Sequence, residues 1–114
     1  MSLYSPQFVL NIATGSVSFP LAAAGAHALN DALRQIMERL QGAGTQGKKT
    51  PQPSVDVNLQ QEGLLLNLFC NPNIWPAPHA AKVLFTVKTD VMRVSTEVEL
   101  PRLLEDLSDY LESL

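Results

Sequence analysis

Residues Leu64–Cys70 read Leu-Leu-Leu-Asn-Leu-Phe-Cys, and no other stretch limits the fold so strongly. In a strand, successive side chains point to opposite faces, so both faces of this segment are apolar and only Asn67 interrupts them. Such a strand is central in its sheet, covered on both sides, or part of a surface shared with a second copy. Before it, Val55, Val57 and Leu59 alternate with Asp56, Asn58 and Gln60, a half-buried strand that reaches the turn Gln61-Glu62-Gly63. After it, beyond a loop from Asn71 to His79, Val83, Phe85 and Val87 alternate with Leu84, Thr86 and Lys88. Asp90 marks a turn, and Met92, Val94, Thr96 and Val98 form the return strand.

The first third of the chain changes period. Phe8, Leu10 and Ile12 share one face of a strand, Thr14-Gly15 is a turn signal, and Val17 and Phe19 resume the alternation, which predicts a β-hairpin. Pro20 ends it and suits the first turn of a helix. From Leu21 to Gln41 the spacing is helical: Leu29, Leu33, Ile36 and Leu40 make a stripe with Met37 beside it, and Gly42 is the expected C-cap. The start of that helix, Ala22-Ala23-Ala24-Gly25-Ala26, carries almost no side-chain bulk and permits a close approach by another element. A second helix is predicted from Leu100 to Leu114, where Leu100, Leu103, Leu104, Leu107, Leu111 and Leu114 form one stripe and Pro101 fits the first turn.

The element order is therefore β-β-α-β-β-β-β-α. Short links between strands make neighbours antiparallel, and a helix with a single apolar stripe packs on one face of a sheet. The expected fold is α+β, a two-layer sandwich in which an antiparallel sheet of about six strands carries two helices on one face. The 114 residues make one domain. Gly42–Ser54, rich in Gly, Gln, Lys and Pro, is expected to be a flexible internal linker within it.

Composition removes several function classes. A net charge of −3 argues against a general nucleic-acid binder, and Phe69 and Phe85 sit in apolar runs rather than beside basic residues as an RNA-reading sheet requires. No apolar stretch reaches the length of a membrane span. Val17–Leu29 resembles the apolar part of a secretory signal but lacks a preceding Lys or Arg, since Arg34 is the first basic residue. A soluble, cytoplasmic protein is expected, with Cys70 a free thiol. The acidity is concentrated in Glu99–Leu114, where five carboxylates face one arginine.

Few residues suggest catalysis. Cys70 and His79 bracket a loop and would make a nucleophile–base pair if they met, but Cys70 also completes the apolar face of Leu64, Leu66 and Leu68. His27 and Asp31 are neighbours at i, i+4 on the first helix. Glu105, Asp109 and Glu112 share a face of the last helix, the ordinary pattern of a solvated side. Metal-ligand spacings and phosphate-cradling glycine motifs are missing, so no metal and no cofactor are expected. Lys48-Lys49 reads as a solubilising pair in the linker.

The segment Asn71-Pro72-Asn73-Ile74-Trp75-Pro76-Ala77-Pro78-His79 holds the only Trp between prolines. A Trp on a stiff loop serves either as a lid on the core or as an anchor for a partner. The leading expectation is a non-catalytic protein-binding or adaptor domain that homodimerises. Its contact residues would be Ile74, Trp75, His79 and Cys70, and its dimer strand Leu65, Asn67 and Phe69. The alternative is a small-molecule-binding domain or minor enzyme with a pocket between sheet and helices near Phe85 and Trp75.

Overall fold

A computed structural model describes residues 7–45 and 48–114. The fold is α+β and two-layered, with six long antiparallel strands and two helices in the order β-β-α-β-β-β-β-α. Strands β1 (Gln7–Ile12) and β2 (Gly15–Pro20) form a hairpin. Helix α1 spans Ala23–Ala43 and is followed by a two-residue ladder of β3 (Gly44–Thr45) and β4 (Lys48–Lys49). Strands β5 (Val55–Gln61), β6 (Leu64–Cys70), β7 (Lys82–Lys88) and β8 (Arg93–Glu99) form a four-stranded meander in that spatial order. Helix α2 (Leu100–Ser113) closes the chain. The hairpin is not hydrogen-bonded into the meander; β1 instead packs on both β8 and α2.

Register explains how one core serves all of these elements. Leu66 pairs with Leu59 on one side and Val87 on the other, and Leu68 pairs with Val57 and Phe85. Those residues share the inner face, which joins Leu29, Leu33 and Ile36 of α1 and Leu103 and Leu107 of α2 in one buried cluster. The hairpin contributes Phe8, Leu10 and Phe19 to it. The Phe8 ring meets Phe19 and Tyr110 edge-on, with centroids 5.6 and 5.5 Å apart, an arrangement that suits the aromatic quadrupole.

Several local expectations shift. The hairpin turn is Ala13-Thr14, one residue early, because Gly15 already pairs with Ile12. Pro20 ends β2 rather than opening the helix, which begins three residues later. Gln61, at the end of β5, spans that gap: its Oε1 accepts from the Ala22 N–H at 3.0 Å and its Nε2 donates to the Pro20 carbonyl at 3.0 Å. Gly25 gives Gln61 its room, since a Cβ there would lie 3.0 Å from Gln61 Oε1 and from Leu21 Cδ1. Helix α1 passes through Gly42 to Ala43. In α2 the stripe includes Tyr110, which is buried, while Leu114 is exposed. The Tyr110 hydroxyl donates to the Leu21 carbonyl and so fastens the last helix to the end of the hairpin.

Within the segment expected as a linker, residues 46 and 47 and the side chains of Lys48 and Lys49 lie outside what is described. The rest is tied to the fold at several points. The Thr50 N–H donates to the Ala43 carbonyl at 3.0 Å, Arg39 donates to the Pro53 carbonyl at 3.0 Å, and Gln52 Nε2 donates to the Gly42 carbonyl at 3.3 Å. Among the described residues no helix is long and apolar enough to cross a membrane.

Candidate functional site

The predicted contact residues belong to two neighbouring parts of the structure. Strand β6 is central, so it offers a partner only its outer face, on which Leu65, Asn67 and Phe69 stand. The loop after β6 begins with an Asx turn: Asn71 Oδ1 accepts from the Asn73 N–H at 3.0 Å and from its Nδ2 at 3.0 Å. The Asn73 side chain then pairs with the Gln52 backbone, accepting from its N–H at 2.8 Å and donating to its carbonyl at 2.7 Å. That pairing holds the Trp loop against the chain entering β5, and neither asparagine stands out in the sequence as more than a turn former.

With the loop fixed, its two large apolar residues part company. Trp75 is half-buried and packs against the core, whereas Ile74 is 63% exposed. Of these neighbours, Trp75 thus rests on the core and Ile74 faces outward. Ile74, Trp75, Phe69, Leu84, Lys82 and Glu97 surround a shallow hollow of about 300 Å3 into which Cys70 also reaches. Leu84 carries no signal in the sequence that marks it for this site; it stands directly across from Phe69 in the β6–β7 register.

The hollow is poorly equipped for chemistry. Burial pushes the Cys70 thiol above its usual range, so the thiolate needed for nucleophilic attack is disfavoured. Trp75 Nε1 is buried without a hydrogen-bond partner. His79 lies on a short 3-10 helix, Pro78–Ala80, is exposed, and does not line the hollow with Cys70. Phe85 is fully buried in the core, in tilted contact with Phe19, and does not front an accessible pocket. A larger cleft of about 510 Å3 runs between the hairpin tip and the start of α2, lined by Lys82, Glu97, Glu99, Arg102 and Glu105 among others. Among the described residues no His, Cys, Asp or Glu cluster is placed to hold a metal ion. Glu105, Asp109 and Glu112 are all exposed, while Asp106 is engaged as a structural acceptor. It accepts from the Asn11 N–H at 3.1 Å, from Asn11 Nδ2 at 3.0 Å, and from Arg102 Nε at 3.2 Å.

Among the described residues the outer-face side chains of the meander are exposed or half-buried, and their cross-strand rows are ordered by chemistry. At the hollow's end the row is Asp56, Phe69, Leu84, Glu97; the middle row is Asn58, Asn67, Thr86, Ser95; the far row is Gln60, Leu65, Lys88, Arg93. In the middle row several of the polar groups are already paired. Asn67 Nδ2 donates to Asp56 Oδ1 at 2.7 Å and to Asn58 Oδ1 at 2.9 Å, and the Thr86 and Ser95 hydroxyls are 2.9 Å apart. Of the seven exposed large apolar side chains among the described residues, Phe69 and Leu84 stand on this face, Ile74 at one end of it, and Val91 and Met92 in the turn at the other. The chain matches no protein-family model, no curated protein and no solved structure.

Proposed function

We propose that the chain is a non-catalytic protein-binding domain that self-associates through the outer face of its four-stranded sheet. The observation that carries this reading is the concentration of exposed apolar side chains there: Phe69, Leu84 and Ile74 are contiguous around one hollow. Exposed apolar residues scattered singly need no explanation, but a contiguous patch rimmed by polar groups marks an interaction surface. The rim here is Asp56, Lys82 and Glu97. Trp75 stiffens the patch from behind, so little freedom would be lost when a partner covers it. The same face explains why β6 is apolar on both sides although only its inner side meets the helices.

Sedimentation velocity from about 1 to 200 μM tests the reading, a range chosen because small interfaces are weak. The wild type is expected to shift from the 12.4 kDa monomer toward twice that mass. Phe69→Asp, which places a charge where apolar contact is needed, is expected to remain monomeric with an unchanged circular dichroism spectrum, because Phe69 takes no part in the core. A wild type that is monomeric over the whole range overturns the reading.

A further inference from the structure

We infer that the partner on this face is a second copy of the chain, related by a two-fold axis that crosses the four strands along the row Asn58, Asn67, Thr86, Ser95. The inference rests on the proposed self-association and adds its geometry. A two-fold interface must be complementary to itself, with each residue meeting another and the second meeting the first. Turning the face over about an axis across the strands lays the Asp56–Phe69–Leu84–Glu97 row of one copy on the Gln60–Leu65–Lys88–Arg93 row of the other. Glu97 then meets Arg93 of the second copy, Phe69 meets Leu65, Asp56 meets the Gln60 carboxamide, and Leu84 meets the aliphatic stem of Lys88. The axis passes through the row in which Asn67 Nδ2, Asn58 Oδ1 and the Thr86 and Ser95 hydroxyls are already hydrogen-bonded, which lowers the cost of covering it and leaves Asn58 Nδ2 and Asn67 Oδ1 to be met by their own copies across the axis.

Charge favours this axis over one that runs along the strands. An axis running along the strands would lay Asp56 on Glu97 twice, a like-charge contact that interfaces avoid. The single chain also carries an unresolved repulsion that the proposed pairing relieves. Lys88 and Arg93 stand directly opposite each other on β7 and β8, and like charges so placed destabilise a sheet. Arg102–Asp106 is the only ion pair among the described residues, so among them neither Lys88 nor Arg93 has a carboxylate partner within its own copy. Glu97 of the second copy supplies one to both. The apolar ends agree: Ile74 lies beyond one end row and Val91 and Met92 lie beyond the other.

Two sheets so joined make a β-sandwich, their faces about 10 Å apart. Each strand has seven residues, and seven residues by four strands give a footprint of roughly 440 Å2 per copy. That lies at the weak end of specific interfaces, which sets the concentration range above.

The test reverses single charges and then recombines them. Glu97→Arg and Arg93→Glu are each expected to weaken self-association about tenfold, and both residues are exposed, so thermal melts are expected to stay near the wild type. An equimolar mixture of the two variants is expected to recover wild-type mass. In the mixed pair the arginine introduced at position 97 of one copy faces the glutamate introduced at position 93 of the other, and the native Arg93–Glu97 pair survives at the symmetry mate. Tighter association by Glu97→Arg alone overturns the inference and indicates the axis along the strands, where the introduced arginine would meet Asp56. No response to either charge reversal, with Phe69→Asp still monomeric, overturns the axis while leaving the binding face intact. A monomeric wild type removes both.

Discussion

Replacing Tyr110 with Phe isolates one contact between the beginning and the end of the chain. The Tyr110 ring is buried against Phe8 and its hydroxyl donates to the carbonyl of Leu21, itself only 2% exposed. Phe keeps the ring packing and removes the donor, leaving a buried carbonyl without it, which costs about 1–2 kcal/mol. For 114 residues the unfolding entropy near the melting temperature is about 0.24 kcal/mol per kelvin. Tyr110→Phe is therefore expected to lower Tm by about 4–8 °C in a calorimetric or circular-dichroism melt. Burial also raises the Tyr110 pKa above the ordinary tyrosine value. The sign follows from the proton: the unfolded chain ionises first, so the hydroxyl's contribution is complete below about pH 10 and is lost as pH rises through the folded-state value. The gap between wild type and Tyr110→Phe in urea denaturation is accordingly expected to stay constant below about pH 10 and to narrow above it. Cys70, whose thiol is also raised, titrates alike in both proteins and cancels from the difference. A Tm within about 1 °C of wild type, or a gap that widens in alkali, refutes the assignment of this hydrogen bond as a fastening point.

Three further positions probe the frame around the sheet. Gly63 has φ 74° in the β5–β6 turn with open space around it, so Gly63→Ala is expected to cost about 1–2 kcal/mol from backbone strain alone. Gly15→Ala, also in open space but without a positive φ, is expected to stay within about 0.5 kcal/mol of wild type; equal costs at both positions in urea denaturation would exclude the conformational explanation. Asp106→Ala removes the acceptor that holds Asn11 of β1 to α2 and is expected to cost about 2 kcal/mol, with Asp106→Asn recovering about half because one acceptor oxygen remains. Equal losses in the two variants would show that the charge rather than the geometry holds β1.

Much of the architecture is legible because burial here follows period. Val55, Leu66, Val83 and Phe85 fall on the inner face where alternation puts them, and Leu29, Leu33, Ile36 and Leu40 where helical spacing does. Tyr110 escapes notice because the leucines of α2 are numerous enough to define a stripe without it. Yet Leu100, Leu103, Leu107 and Tyr110 recur at three, four and three residues, and those are the four that are buried. The site is only half legible. Alternation places Leu65, Asn67 and Phe69 on a common face, but no pattern within β6 reports that Phe69 stands beside Leu84. Register across a long loop depends on tertiary packing, and the Asn73–Gln52 pairing that positions this loop joins residues 21 apart with no periodic signal.

The fastening of β1 and Leu21 to α2 also governs how the chain emerges during synthesis. Asn11 and Asp106 are 95 residues apart, and Tyr110 and Leu21 are 89 apart. At ordinary elongation rates of about 5–20 residues per second, Phe8 waits roughly 5–20 s for the aromatic ring that covers it. Throughout that interval the hairpin can be complete as a ladder, with Phe19 already beside Phe8, yet it lacks its contacts with α2, so this side of the core closes only after that helix has been made.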